Sequence, residues 1–178
     1  MSKRPLQVSV IGSSAEVPEL MRDAEEVGRL LGEAGAVVVC GGMTGVMEAA
    51  SRGAAEAGGV VIGVVPTLSP ADANPHVTHA VATGIGHARN LGVVASGDAV
   101  IAIGGEWGTL SEIAFARRLE KTVISLQSWP LRNRAGSDLG IGEVETPAEA
   151  VKAALSVAAT EESSPERTRA ADDTLRES

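Results

Sequence analysis

Gly104-Gly105-Glu106-Trp107-Gly108-Thr109-Leu110-Ser111-Glu112 follows the apolar run Ala99-Val100-Ile101-Ala102-Ile103 and leads into Ile113-Ala114-Phe115-Ala116. An unbroken run of small and branched apolar residues is the pattern of a strand covered on both faces of a parallel sheet, and the residues after the glycines recur at helical spacing. The glycines therefore stand in a strand-to-helix turn. Such a turn presents backbone N–H groups beside the partial positive charge of a helix start, which makes it a site for an anion and above all for a phosphate. Thr109-x-x-Glu112 has a second reading as a capping box, in which each side chain closes on the other's backbone N–H. On spacing alone both readings of these two residues stand.

The rest of the chain repeats the same alternation of strand and helix. Val8 to Ile11 reads as a first strand, and Val17, Leu20, Met21, Ala24, Val27, Leu31 and Ala34 then recur at helical spacing. Ala36 to Cys40 is a second strand, running through Gly41-Gly42-Met43-Thr44-Gly45 into a small-residue helix from Val46 to Ala57 that stops at Gly58-Gly59. Val60 to Val65 is a third strand. Thr67 to Val77, with Pro70 and Pro75, reads as a loop of the length used for lids and binding loops. A short strand over Val77 to Thr83, a helix over Gly84 to Ala95 and a strand over Thr122 to Leu126 follow. An irregular segment containing Gly136, Gly140 and Gly142 then gives way at Thr146-Pro147-Ala148-Glu149, a capping box with proline at the first helical position, to a last helix ending near Ala159.

This order implies an α/β fold: a doubly wound, mostly parallel, Rossmann-like sheet with helices on both faces and ligands at the carboxyl ends of the strands. Three glycine turns then share one edge: Gly12-Ser13-Ser14, the Gly41 to Gly45 turn and the Gly104 to Thr109 turn. One such turn is common, but three on one edge point to a phosphorylated small molecule. Residues 1–159 are expected to form a single phosphate- or nucleotide-binding domain. Residues 160–178, rich in Glu, Ser, Arg and Asp with one leucine, are expected to be a disordered acidic tail.

Composition narrows the function further. With 178 residues, 44% hydrophobic, the chain is long enough for one sizeable core, and 2% aromatic with no tyrosine means that Val, Ile, Leu and Ala must build it. The formal charge of −8 argues against a nucleic-acid surface, which needs clustered Lys and Arg. Cys40 is the only cysteine, so neither an intramolecular disulfide nor a cysteine-based zinc site is available. The N-terminal apolar stretch is too short and too broken for a signal peptide or membrane span, and a cytoplasmic protein with no membrane partner is expected.

Several chemistries lack their residues. The first turn has no G-x-G-x-x-G, and Cys40 stands where a dinucleotide fold wants an acid for the ribose. No G-K-[ST] follows a glycine loop, and no G-x-S-x-G is present. His76, His79 and His87 are too scattered for a metal site, so no metal is expected. Lys3, Lys121 and Lys152 are the only lysines, and none lies in a glycine turn where a pyridoxal phosphate aldimine would form.

The segments Gly41-Gly42-Met43-Thr44-Gly45-Val46-Met47, Gly59-Val60-Val61-Ile62-Gly63-Val64-Val65-Pro66 and Gly108-Thr109-Leu110-Ser111-Glu112 resemble, in order and spacing, the Rossmann-like LONELY GUY superfamily. That superfamily includes nucleoside 5′-monophosphate phosphoribohydrolases that activate cytokinins, proteins mislabelled lysine decarboxylases, and molybdenum-cofactor carrier proteins. The Trp107 to Glu112 wording is most similar to the carrier-like branch, and the resemblance spans Val8 to Leu126. Taken with the three strand-end turns, it gives a ligand set of Gly12, Ser13, Ser14, Gly41, Gly42, Thr44, Gly45, Met47, Arg89, Gly104, Gly105, Trp107, Gly108, Thr109 and Glu112. It also implies that Arg89 and Glu112 match the hydrolases' arginine and glutamate, the carboxylate stabilising positive charge on the ribose as the N-glycosidic bond breaks.

Two departures bear on that activity. Glu106 stands within a turn that the hydrolases keep free of acid, and Asn90 follows Arg89 where they carry lysine. The expectation is therefore a carrier of molybdenum cofactor or of a nucleoside monophosphate, with no cofactor required for activity; phosphoribohydrolase activity is the alternative, and decarboxylation is rejected. The resemblance further implies a homodimer, or a larger assembly built from it, packed through the helices around Ala88 to Ala95 and Ile113 to Ala116.

Overall fold

A computed structural model describes residues 4–137 and 139–161, and the tail expected to be disordered lies outside the described residues beyond position 161. Seven strands form one sheet: β1 (Gln7–Gly12), β2 (Val37–Cys40), β3 (Val61–Val65), β4 (His79–Ala82), β5 (Ala99–Ile103), β6 (Thr122–Leu126) and β7 (Ile141–Val144). Their order is β4-β3-β2-β1-β5-β6-β7, and each neighbouring pair is parallel. The chain therefore builds outward from β1 and then returns to lay β5 on β1's other side, with Gly12 beside Ile103. The crevice of a doubly wound fold opens at this reversal.

Helices α1 (Pro18–Glu33), α2 (Val46–Glu56) and α5 (Pro147–Glu161) cover one face, and α3 (Asn90–Ser96) and α4 (Trp107–Arg118) cover the other. Strand side chains divide between the two cores by alternation: Val38, Cys40, Ile101 and Ile103 face the first, Val37, Val39, Val100 and Ala102 the second. The scarcity of large side chains shows in the α1–α2 contact. A β-carbon on Gly53 would run into the Glu25 carbonyl oxygen, and one on Gly28 into that of Ala50. Glycine lets the two backbones touch, and the α1–α2 layer can be thin because of it.

The expected boundaries need three corrections. The segment expected to be irregular contains β7, whose Gly142 and Glu143 break the apolar pattern because an edge strand is half solvated. The helix expected from Gly84 starts only at Asn90: Gly84 and Gly86 take φ of 66° and 58°, and Gly86–Arg89 forms a 3-10 turn. Most consequential, α4 begins at Trp107 with Glu106 in the N-cap position, so Thr109 and Glu112 lie inside the helix and form no capping box. At Thr146, by contrast, the expected box is present, with Thr146 Oγ1 accepting from the Glu149 N–H at 3.3 Å and Glu149 Oε2 accepting from the Thr146 N–H at 3.2 Å. Among the described residues no helix is long and apolar enough to cross a membrane.

Candidate functional site

The carboxyl ends of β1, β2 and β5 surround a cleft of about 180 Å³ lined by Gly12, Ser14, Gly41, Met47, Arg89, Gly108, Thr109 and Glu112, together with Val10, Ile11, His87, Asn90 and Glu106. All three glycine turns contribute to it. Ser13, Gly42, Thr44 and Gly45 shape the turns without lining the space: the Ser13 carbonyl accepts from the Val46 N–H at 3.0 Å, and the Thr44 hydroxyl donates to the Ser14 carbonyl at 3.5 Å. Gly104, Gly105 and Trp107 also stand outside the lining. His87 is not among the expected site residues, because what brings it in is the pair of left-handed glycines flanking Ile85.

Arg89 is the only arginine or lysine in the lining. It is no surface residue. Only 8% of it is exposed, its Nη1 donates to Asn90 Oδ1 at 2.9 Å, and its Nε has no hydrogen-bond partner among the described residues. Glu112 Oε1 lies 3.8 Å from Nη1, an ion pair too long for a hydrogen bond. Arg89 borders the cleft and so can meet an anionic acceptor there, while its Nε is shut off from solvent without a partner among the described residues. Burial pulls the Arg89 guanidinium below its ordinary value, opposed by Glu112.

Glu112, 6% exposed, has its carboxyl pushed up from 4.5 to about 7 by burial, against the pull of Arg89. The two shifts run in opposite directions from one cause: burial disfavours the charged form of each, and each recovers part of the loss from the other. Burial thus favours the protonated carboxyl, the form that leaves the guanidinium unopposed.

Glu106 does not turn away from the cleft. It lines the rim, where its Oε1 accepts from the Ser13 hydroxyl at 3.1 Å while Ser13 Oγ accepts from the Ala15 N–H at 2.9 Å. Ser13 is thus occupied in tying the β1 turn to the β5 turn. Cys40, fully buried beneath the cleft floor, lies 3.4 Å from Ser51 Oγ and accepts from the Gly42 N–H at 3.4 Å. Burial pushes its thiol up, which leaves it an inert structural group.

Among the described residues no group of three or more His, Cys, Asp or Glu side chains is placed to hold a metal ion. A wider groove of about 450 Å³ over α1 and α2 is lined by Arg22, Glu25, Glu26, Arg29, Glu33, Gly53, Glu56 and Ala57. It lacks the chemistry of the strand-end cleft, since Arg29 pairs with Glu26 and Glu33, and Glu25 pairs with Arg52. Those pairs belong to a solvated helix surface.

A family model for the SLOG cluster4 family matches residues 5–159. The chain belongs to the SLOG cluster4 family. Within that setting it is 40% identical over 151 residues to an uncharacterized protein of Archaeoglobus fulgidus, covering 85% of this chain and 95% of the relative. Two solved structures share both fold and sequence with this SLOG cluster4 chain. The molybdenum cofactor binding protein of the phototrophic bacterium Rippkaea orientalis is 32% identical, with a TM-score of 0.78 over 88% of this chain and 99% of that one. The molybdenum cofactor carrier protein of Chlamydomonas reinhardtii is 30% identical, with a TM-score of 0.76 over the same shares.

Proposed function

We propose that this SLOG cluster4 protein binds and carries a phosphorylated small molecule, with molybdenum cofactor or a nucleoside monophosphate as the ligand, rather than turning one over. The observation that carries the reading is the convergence of three glycine turns on one buried, under-partnered arginine. The ligand's phosphate is held by backbone donors of the turns and by Arg89, and the similarity to two proteins named for molybdenum cofactor supports a pterin-bearing ligand. Wider membership of the LONELY GUY superfamily fits the same motifs. The phosphoribohydrolase reading keeps one specific support, a cleft carboxyl raised to about 7 beside an arginine.

A ligand at ~100 times its dissociation constant adds about 2.7 kcal/mol to stability. AMP or the phosphate ester of 6-hydroxymethylpterin should therefore raise the melting temperature. Gly108 lines the cleft, and a β-carbon there would meet nothing within 4 Å. Gly108→Val should then keep the fold, intrude on the cleft and abolish the ligand-induced rise. An undiminished rise in that variant removes the β5 turn from the site.

The same reading includes a homodimer. Leu91, Phe115 and Leu119 are exposed at 44%, 38% and 42% on α3, α4 and the residue closing α4, beside small residues such as Gly92 and Ala95 that permit close helix contact. Light scattering at micromolar concentration is expected to give twice the chain mass or a multiple of it. A monomer mass counts against this surface.

A further inference from the structure

Two of the chain's three aromatic side chains, Trp107 and Trp129, stand together at the β5 turn, next in sequence to the cleft-lining Glu106 and Gly108. Their ring centroids are 5.7 Å apart with planes tilted by 35°. Trp107 is the first residue of α4, between Glu106 and Gly108, both of which line the cleft, yet it is 78% exposed. Trp129, from the segment after β6, is half-buried against the β5 turn: a β-carbon on Gly105 would come within 2.9 Å of its Nε1. That indole N–H is buried and has no hydrogen-bond partner among the described residues. A buried tryptophan N–H ordinarily finds an acceptor, so Trp129 is placed here by packing, wedged between Gly105 and Trp107.

Trp129 thus backs Trp107 and leaves its remaining surface open. What sets Trp107 apart is that its exposed indole is paired with a second one and flanked in sequence by two cleft-lining residues. An electron-rich indole face is a stacking surface for flat heteroaromatic rings.

We infer that Trp107, backed by Trp129, is the shelf on which the planar heterocycle of the ligand stacks while its phosphate occupies the adjoining cleft. The proposal rests on the phosphate-site reading and adds to it the class of ligand: a phosphate ester carrying a fused nitrogen heterocycle, pterin or purine. It also divides labour within the site. The glycine turns and Arg89 accept the phosphate of any such ester, and Trp107 discriminates for the ring.

The two tryptophans are the only ones in the chain, so fluorescence isolates each. Trp129→Phe leaves Trp107 as the sole reporter, and AMP or the phosphate ester of 6-hydroxymethylpterin should quench it, whereas ribose 5-phosphate should bind without quenching. Base–aromatic stacking of this kind corresponds to roughly a tenfold to hundredfold change in affinity. Trp107→Ala should therefore bind both ring-bearing esters about that much more weakly and ribose 5-phosphate as tightly as the wild-type chain. Because Trp107 is exposed, its removal leaves the core intact, which circular dichroism checks. Equal affinity of Trp107→Ala and wild type for the ring-bearing esters, with ribose 5-phosphate still bound, overturns the shelf and leaves the phosphate site standing. Failure of all three probes to bind the wild-type chain overturns both.

Discussion

Glu112→Gln should become more stable than the wild-type chain as the pH rises, with a gap that widens by ~3 kcal/mol between about pH 4.5 and pH 8, because each pH unit separating the folded and unfolded pKa values contributes ~1.36 kcal/mol. The sign follows from where the carboxyl titrates. Its folded-state pKa is raised from 4.5 to about 7, so across that window the folded chain holds a proton that the unfolded chain has already released. The stability contributed by that proton is fully present below the unfolded value and is lost as the pH climbs through about 7. Glutamine mimics the protonated acid at every pH and so never incurs the loss. Glu25, Glu26 and Glu149 move the other way, held down mainly by hydrogen bonds to Arg52 and Arg29 and, for Glu149, to the Glu145 N–H, and Asp98 does so although burial raises it, because hydrogen bonds from Arg4 and the Gln7 N–H outweigh that burial. Their contributions fall away only in acid, and they cancel between variant and wild type. Urea denaturation of both chains across this range measures the gap; one that stays constant would mean that Glu112 is ionised in the fold throughout.

The sheet was legible because strands buried on both faces are written as unbroken apolar runs, and Val8, Val38, Val61, Ala99 and Val123 each begin or sit within one. The strand-end position of the glycine turns followed from that order alone. What was not legible depended on solvent and on single backbone angles. β7, with Gly142 and Glu143 at its centre, is a half-exposed edge strand and so lacks an apolar run. The late start of α3 reflects left-handed glycines at 84 and 86, and with it went the placement of His87 in the cleft. The spacing of Thr109 and Glu112 fits a cap as well as it fits a ligand site. Only the early start of α4 decides against the cap, since it carries both residues one turn deeper into the helix, where Glu112 meets Arg89.

Arg89→Ala and Glu112→Gln should move the affinity for AMP in opposite directions, and release of free base separates carriage from hydrolysis. Arg89 is the sole arginine or lysine lining the cleft, and its Nε has no partner among the described residues. A hydrogen bond to a charged group contributes about 1.5–3 kcal/mol, so its loss should weaken AMP binding by roughly tenfold to a hundredfold. Glu112 opposes the anion instead, by its own charge and by pairing with Arg89 at 3.8 Å. Glutamine should release the guanidinium and tighten AMP binding at pH 8, with little change near pH 5, where the wild-type carboxyl is already protonated. A hydrolase gives a different pattern. It needs the ionised carboxylate in its transition state, and loss of such a group removes about a hundred- to ten-thousand-fold of turnover. In this cleft the position after Arg89 is Asn90, whose carbonyl accepts from the guanidinium and adds no charge, and the rim carries Glu106. Both features lower the positive potential that a developing negative leaving group would draw on. Incubation of the wild-type chain with AMP and with isopentenyladenosine monophosphate, followed by chromatography, should therefore show bound nucleotide and little or no free base. Robust release that disappears in both Arg89→Ala and Glu112→Gln would replace the carrier reading with the phosphoribohydrolase one.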